Sequence, residues 1–525
     1  MRLTDYTPLS AAEDKLIAGA ATGGRITIGD GELPREDRPE VSIRAGLIRM
    51  LLTGSDPEVT LHDKGLRLRG AWIAGPLDLQ GADISHDITL TACRLPAPIE
   101  MVNARLRGFH ISGCALAGIA GDHARLDGAL YIRAGSRVEG EIALAGAHVA
   151  GDLQLCDLEI VSPGQDAVFA PSMHVGGSVF LGNYPYSNGE TGLTADGAIF
   201  LASVQVEHDL FVTQCAIAAK RGVTAGLFQG SEEHGAENAL SLARAHVGGI
   251  LYFRENRIAP GIVSLAGAWA ARFRDEPDGP GAQYPIRLDG FGYDDFSRHT
   301  ETGIGARLRW LERRPADTPF TAQPYEQLAR VLMHLGHRSD ARSVLMRKER
   351  ILRRENRRTM RGPARRAVHW AGDMVMRGAV GYGYRPGRVL GLAVVLILGL
   401  GLFFQKTWEA GDMAPNAAPI LVSAAWAEAV ERHPENPGAF WAAKGQAGQD
   451  WETFQGFAYA ADVVIPIVNL GQESAWAPST ARSPWGRAGW WIRWFAKAAG
   501  LIITGVELCQ GGRGRGLSGG VRPAP

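Results

Sequence analysis

The side chains in this 525-residue chain with the chemistry to form a site are five cysteines, fourteen histidines and a few ionisable groups in apolar surroundings. Cys93, Cys114, Cys156, Cys215 and Cys509 include no Cys-x-x-Cys pair, so zinc-ribbon and thioredoxin-like chemistry gets no support. Cys93 and Cys114 fall at matching positions of a repeat and are expected as small apolar residues in neighbouring coils rather than as a disulfide. His334 and His337 stand at i, i+3, but Gly336 lies between them and no acidic ligand accompanies them, so a solvated turn is expected. His110, His123, His148, His174, His208 and His246 fall near unit corners and are expected on the surface, where stacked His and Asp side chains could line a groove. Asp462 interrupts the apolar run Phe457 to Leu470. Inside a membrane such a residue is a functional candidate, whereas on an interfacial helix it faces water, which is the reading preferred.

The Gly514-Arg515-Gly516-Leu517-Ser518-Gly519 match to a dinucleotide fingerprint follows no strand and opens no helix. No phosphate-binding Gly-rich loop ending in Lys-Ser/Thr and no Gly-x-Ser-x-Gly elbow occurs. No catalytic, cofactor-binding or metal-ligating residue is therefore assigned, and no cofactor.

The elements that must position these side chains are dominated by one repeat. Apolar residues recur at relative positions 0, 2 and 7, with a new unit about every eleven residues: Leu66, Leu68, Ile73; Leu77, Leu79, Ile84; Ile88, Leu90, Leu95; Ile99, Met101, Leu106; Phe109, Ile111, Leu116. In an L-x-L strand both apolar side chains share a face, and small pairs such as Gly70-Ala71 and Gly81-Ala82 suit the corners. Eleven residues are too few to close a coil around side chains, so about 22 are expected per turn of a stacked β-solenoid over 62–296. Polar loops are expected at 182–196, 228–238 and 272–284.

Residues 1–61 read as a helical cap, with a capping box at Ser10-Ala11-Ala12-Glu13 and an amphipathic piece from Val41 to Leu52 closed by Gly54. Residues 297–388 form a helical neck. It holds short helices around Ile304–Leu311, Pro324–Leu335 and Ala341–Ile351, and then a basic collar. The Tyr325-x-x-Leu328-Ala329 pattern with Gly336 and Ala341 is expected to pack locally rather than to bind a peptide.

Val389 to Phe404 carries no charge, and Tyr382, Tyr384 and Trp408 flank it. It reads as a transmembrane helix over 389–405, slightly short but extended by a snorkelling Arg388. Five arginines lie in 365–388 against one basic residue, Lys406, in 405–424. The positive-inside rule therefore puts residues 1–388 on the cytoplasmic side, with the collar holding anionic lipid. Residues 406–487 read as an external Trp-rich segment with interfacial helices. Residues 488–508 read as a possible second span despite Arg493 and Lys497, and 509–525 as a disordered Gly/Arg tail. The N-terminus has no basic region followed by an apolar run, so no secretory signal is expected. The formal net charge is zero, and nucleic acid is not expected as a partner.

Taken together, the L-x-L-x-G-A units, Gln323-Pro324-Tyr325-Glu326-Gln327-Leu328-Ala329, Gly381-Tyr382-Gly383-Tyr384-Arg385-Pro386 and Ile465-Pro466-Ile467-Val468-Asn469-Leu470-Gly471-Gln472-Glu473 give a resemblance to a family. The chain resembles bacterial membrane-associated proteins with a pentapeptide-repeat-like solenoid, sometimes labelled membrane-associated oxidoreductases. The resemblance implies stacked quasi-pentapeptide coils, a helical neck, two C-terminal spans and the bacterial cytoplasmic membrane. It defines no catalytic residues. The charged second span and the Gly/Arg tail depart from it. The function expected is a membrane-anchored cytoplasmic scaffold for a protein partner, and the alternative, implied by the family label, is a membrane-associated oxidoreductase with an unidentified cofactor.

Overall fold

A computed structural model describes residues 2–162, 166–185, 192–219, 238–279, 281–316, 318–375, 386–465 and 469–513; of residues 368, 371–372, 375, 386–389 and 501–513 it describes only the backbone. The chain divides into two compact units, residues 1–348 and 349–525.

The first unit is built from the repeat. The chain runs through Leu66–Arg69, Trp72–Ala74, Leu77–Asp78 and Asp83–Ile84, and then returns at Ile88–Thr91. That strand pairs in parallel with Leu66–Arg69, Leu66 opposite Ile88, so one coil takes the expected 22 residues. The register continues through Phe109, Leu130, Leu153, Val179, Leu210 and Leu251. The strands gather into three parallel sheets of 17, 9 and 9 strands, the stacked arrangement of a solenoid. The large sheet, here sheet A, carries two sides of each coil.

The buried positions fill out the 0, 2, 7 pattern with a small residue at position 5. Ala71, Ala82, Cys93, Ala104, Cys114 and Ala124 are all at most 8% exposed and sit where two strands meet at a corner. A second constraint explains the eleven-residue step. Each unit contains one left-handed residue at position 4: Gly70, Gly81, Ala92, Asn103, Gly113, His123, Ala134, Gly146 and Asp157. Left-handed backbone costs an L-residue roughly 1–2 kcal/mol. Glycine avoids that cost at about half of these corners, and at the others the cost is offset by the apolar side chains each corner turns inward.

The N-terminal cap is less helical than expected. Helices α1 (Ala11–Ala20) and α2 (Ala45–Thr53) form, with Ser10 and Glu13 making the capping box and Gly54 the left-handed end of α2. Between them lie two short strands that belong to the solenoid. Ile26–Thr27 pairs with Leu68–Arg69, and Ser42–Arg44 pairs with Trp72–Ala74. The cap thus satisfies the backbone of the first coil with strands of its own. Glu13, 2% exposed, ties the pieces together by accepting from the backbone N–H and the side chain of Arg44.

At the other end the last strand is Gly292–Phe296, followed by α3 (Ile304–Leu311), α4 (Gln323–His334) and α5 (Arg338–Thr359). The α4 helix closes the last coil with its glutamines. Gln323 accepts from the Gly290 N–H and donates to the Phe291 carbonyl, and Gln327 donates to the Tyr293 carbonyl. The α4 helix therefore packs against the last coil. The loop anticipated at 272–284 starts later, because Trp269–Asp275 continues sheet A. The strand Leu193–Asp196 occupies the end of the loop anticipated at 182–196. Residues 228–237 of the remaining loop lie outside the described residues.

The second unit contains α6 (Pro363–Val375), α7 (Pro386–Glu409), short helices α8 (Ala418–Leu421), α9 (Ala424–Arg432), α10 (Pro437–Trp441), α11 (Gly456–Val464) and α12 (Gln472–Ala475), and α13 (Pro484–Arg513). Among the described residues α7 is the one helix long and apolar enough to cross a membrane, through Leu390–Glu409 with mean hydropathy 1.9. With 24 residues it reaches about 36 Å, so the short charge-free run is no obstacle to a span. The α7 and α11 backbones meet at two glycines: a Cβ on Gly456 would stand 2.7 Å from the Gly401 carbonyl oxygen. Phe404, Trp426, Trp441, Tyr459 and Trp476 form the aromatic core around that contact. The α13 helix returns along α7: Trp485 lies against Phe403, and Ile492 and Ala496 pack on the same core as Ile397 and Leu400. It extends to Arg513, beyond residue 508 where the second span was expected to end.

Candidate functional site

A solenoid turns one set of side chains inward and repeats another outward, so side chains on neighbouring coils meet at the strand spacing of about 4.8 Å. Sheet A carries two such outward columns rich in rings. In one, His110 stacks on Tyr131 at 4.7 Å, Phe180 on Phe211 at 4.8 Å and Phe211 on Tyr252 at 4.3 Å. Arg133 lies over the Tyr131 ring and Arg274 over that of Tyr252. In the other, His148 stacks on His174 with ring centroids 4.7 Å and planes 1° apart, and His246 stacks on Trp269 at 4.6 Å. The ring faces are spent against one another, and the edges, where the aromatic quadrupole is positive, point outward.

The histidines are thus placed differently from expectation. His110, His148, His174 and His246 are outward residues within strands, paired in register with Tyr131, His174, Gln205 and Trp269. His123 is a true corner, left-handed at φ 58°. His208 is exposed outside a strand. Burial beside Tyr131 lowers the pKa of His110, an effect opposed by Asp87. The aspartates near these columns serve the backbone instead of a groove: Asp152 accepts from the Ser178 N–H at 2.8 Å and Asp209 from the Ile250 N–H at 2.7 Å.

On the opposite corner, burial and the neighbouring Asp166 and Asp122 carboxylates push Glu141 up to about 7, and burial pushes Asp166 up to about 6.

Cys93 and Cys114 stack in neighbouring coils as free thiols. The Cys93 N–H donates to Cys114 Sγ at 3.3 Å, and the Cys114 N–H to Ser136 Oγ at 3.2 Å. The column is an internal hydrogen-bonded ladder. Burial pushes the Cys156 thiol up to about 12, the mark of an inert core residue. His334 ends α4 and His337 lies in the turn beside Asp340, so the two do not converge on a site. Among the described residues no group of three or more His, Cys, Asp or Glu side chains is gathered to hold a metal ion. The Gly514–Gly519 motif lies outside the described residues.

In the second unit Asp462 does not face water. It is 5% exposed and accepts from the backbone N–H groups of Leu470 and Glu473, at 2.5 and 3.1 Å. It fixes the turn that leads into α12. Glu473 in turn accepts two hydrogen bonds from Arg493 and pairs with Lys497. Burial opposes its charge, but the Lys497 and Arg493 contacts outweigh that and hold its carboxyl below the usual range. The two cations that make α13 a poor apolar span therefore have a carboxylate partner.

The outward surface of this unit is apolar. Leu390, Val394, Val395, Leu398 and Leu402 line one side of α7, each more than half exposed. On α13, Trp485, Trp490, Trp491, Trp494 and Phe495 are exposed as well. Arg350, Arg354 and Arg358 repeat at four-residue spacing along exposed positions of α5, and Arg361, Arg365 and Arg366 follow at exposed positions.

Comparison with known protein families, with characterised proteins and with solved structures finds no match to this chain.

Proposed function

We propose that the protein is a membrane-anchored scaffold whose solenoid presents ordered side-chain ladders to a protein partner on the cytoplasmic side of a bacterial inner membrane. The observation that carries the reading is the exposed apolar stripe of α7 together with the exposed tryptophans of α13. In water such a surface carries an aggregation liability; in a bilayer it meets hydrocarbon, with the tryptophans at the interface.

The basic residues on α5 and at the start of α6 bind anionic headgroups in this reading, at about 1 kcal/mol per residue near the surface. The α13 helix is a second crossing, its Arg493 and Lys497 neutralised by Glu473. Both helix ends distant from the aromatic core then lie on the cytoplasmic side, in keeping with the excess of arginine over acidic residues before α7. The four-sided coil supports the pentapeptide-repeat-like resemblance.

The test is the absorption spectrum of the full chain purified in detergent, beside a capture experiment on the same material. A scaffold carries no stoichiometric flavin or haem and retains a defined protein partner. A bound chromophore at one per chain overturns the reading in favour of the enzyme.

A further inference from the structure

On sheet A the His148–His174 pair places two metal-ligating side chains on successive rungs of the same column. Their rings are parallel to within 1° at 4.7 Å. The same column continues to Gln205 and His246, one and two coils on. Glu207 stands beside it, its Oε1 3.7 Å from Nε2 of His174, and is 60% exposed. Arg125, one rung before His148, is the opposing charge.

We propose that His148 and His174 form a two-imidazole chelate for a divalent transition cation of the zinc, nickel or copper class, with the Glu207 carboxylate adding favourable charge beside it. Imidazole suits these ions, whereas calcium and magnesium select all-oxygen sites. A metal at about 2.0–2.1 Å from each nitrogen needs donor atoms about 3.3 Å apart for tetrahedral geometry, or about 4 Å when they lie opposite one another. As stacked, the two rings hold their in-plane nitrogen lone pairs parallel, so a shared cation is reached by rotating both outward side chains about χ1 and χ2, while the strands beneath fix the distance between their Cα atoms. The core supplies what an isolated pair of histidines lacks, a preset spacing that lowers the ordering cost of the second ligand. The chelate differs from a three-ligand structural site. It leaves coordination positions open to water or to a donor atom from a bound partner.

The test is equilibrium dialysis of the intact detergent-solubilised chain against Zn2+ alone, with elemental analysis. One zinc per chain is expected, with His148→Gln and His174→Gln each weakening binding roughly 10–100-fold and the double variant abolishing it. Glu207→Gln should weaken binding less. Arg125→Gln should tighten it, because the positive charge on the rung beside His148 is gone. His208→Gln, on an exposed histidine outside the column, should leave binding unchanged. The wild-type chain loaded with Cu2+ gives a reading that needs no variant: pulsed electron paramagnetic resonance should show two equatorial imidazole nitrogens from two rings. Zinc uptake that survives the double substitution, no uptake at millimolar free Zn2+, or a copper centre with one imidazole or none would overturn the proposal.

Discussion

Arg307 and Asp275 meet through two parallel hydrogen bonds of 2.9 and 2.6 Å, with the arginine side chain fully buried and the carboxylate 4% exposed. The guanidinium also lies 4.5 Å from the centroid of the Phe296 ring and near Trp310. This pair joins the last long strand of sheet A to α3 and so closes the C-terminal end of the solenoid. Burial pushes the Asp275 carboxyl up, and Arg307 pulls it back. Arg307→Met leaves a buried carboxylate without its partner and should cost about 3–5 kcal/mol. Adding Asp275→Leu should restore much of that loss. Thermal unfolding of the single and double variants checks both statements.

The left-handed corners make a paired test of the coil. Gly81, at φ 64°, has open space where a Cβ would stand, and Asn103 occupies the same position one coil later at φ 56°. Gly81→Asn should cost about 1 kcal/mol or less, because Asn tolerates the left-handed region better than other L-residues. Gly182, at φ 99°, would place a Cβ 1.8 Å from the Thr213 carbonyl oxygen. Gly182→Ala should therefore cost about 2 kcal/mol or more, through strain and a clash with backbone that cannot move away. Melting temperatures of the two variants distinguish a position that needs glycine from one that only tolerates it.

Glu141 and Asp166 tie the stability of the solenoid to pH. Their folded values, about 7 and about 6, stand above those of an unfolded chain, near 4. The stabilisation from protonation is complete below about pH 4 and is lost as pH rises through 6 to 7. Glu141→Gln should raise the melting temperature at pH 8, leave it nearly unchanged at pH 4, and flatten the dependence between. The measurement is a melting curve at each pH.

Glu473 has the opposite sign. Its folded pKa lies below the ordinary value, so its contribution is present above about pH 4–5 and fades as pH falls through the folded value. Glu473→Gln should cost about 1–3 kcal/mol at pH 7, because Arg493 and Lys497 lose their carboxylate. The same variant should lower the yield of membrane-integrated protein, read by carbonate extraction, if α13 crosses the bilayer.

Replacing Arg350, Arg354 and Arg358 together with Gln should remove about 3 kcal/mol of attraction to an anionic surface. The quantity to measure is the anionic phospholipid that remains with the purified chain, which should fall while zwitterionic lipid stays constant.

Much of the first unit was legible because a coiled chain writes its buried positions directly into the spacing. Leu66, Leu68 and Ile73 are neighbours in sequence and neighbours in the core. The capping box at Ser10 was legible for the same reason, since its partners lie three residues apart. The two strands of the cap were not: Ile26–Thr27 has two residues and acquires its meaning only by pairing with Leu68–Arg69. A groove of stacked histidines was legible as a possibility, but the pairing of His148 with His174 was not, because their coil spans 26 residues instead of 22 and the register can be read only from the pairing. Asp462 looked like a solvated residue because its partners, Leu470 and Glu473, reach it only after the chain reverses direction.

The anchored topology is tested most directly by two reporter fusions in cells, one after Phe320 and one near Gly448, read by a reporter active only in the cytoplasm and one active only outside it. The fusion after Phe320 should behave as cytoplasmic and the fusion near Gly448 as external. The reverse pattern, or two cytoplasmic fusions, would contradict a solenoid held on the cytoplasmic side by a crossing at α7.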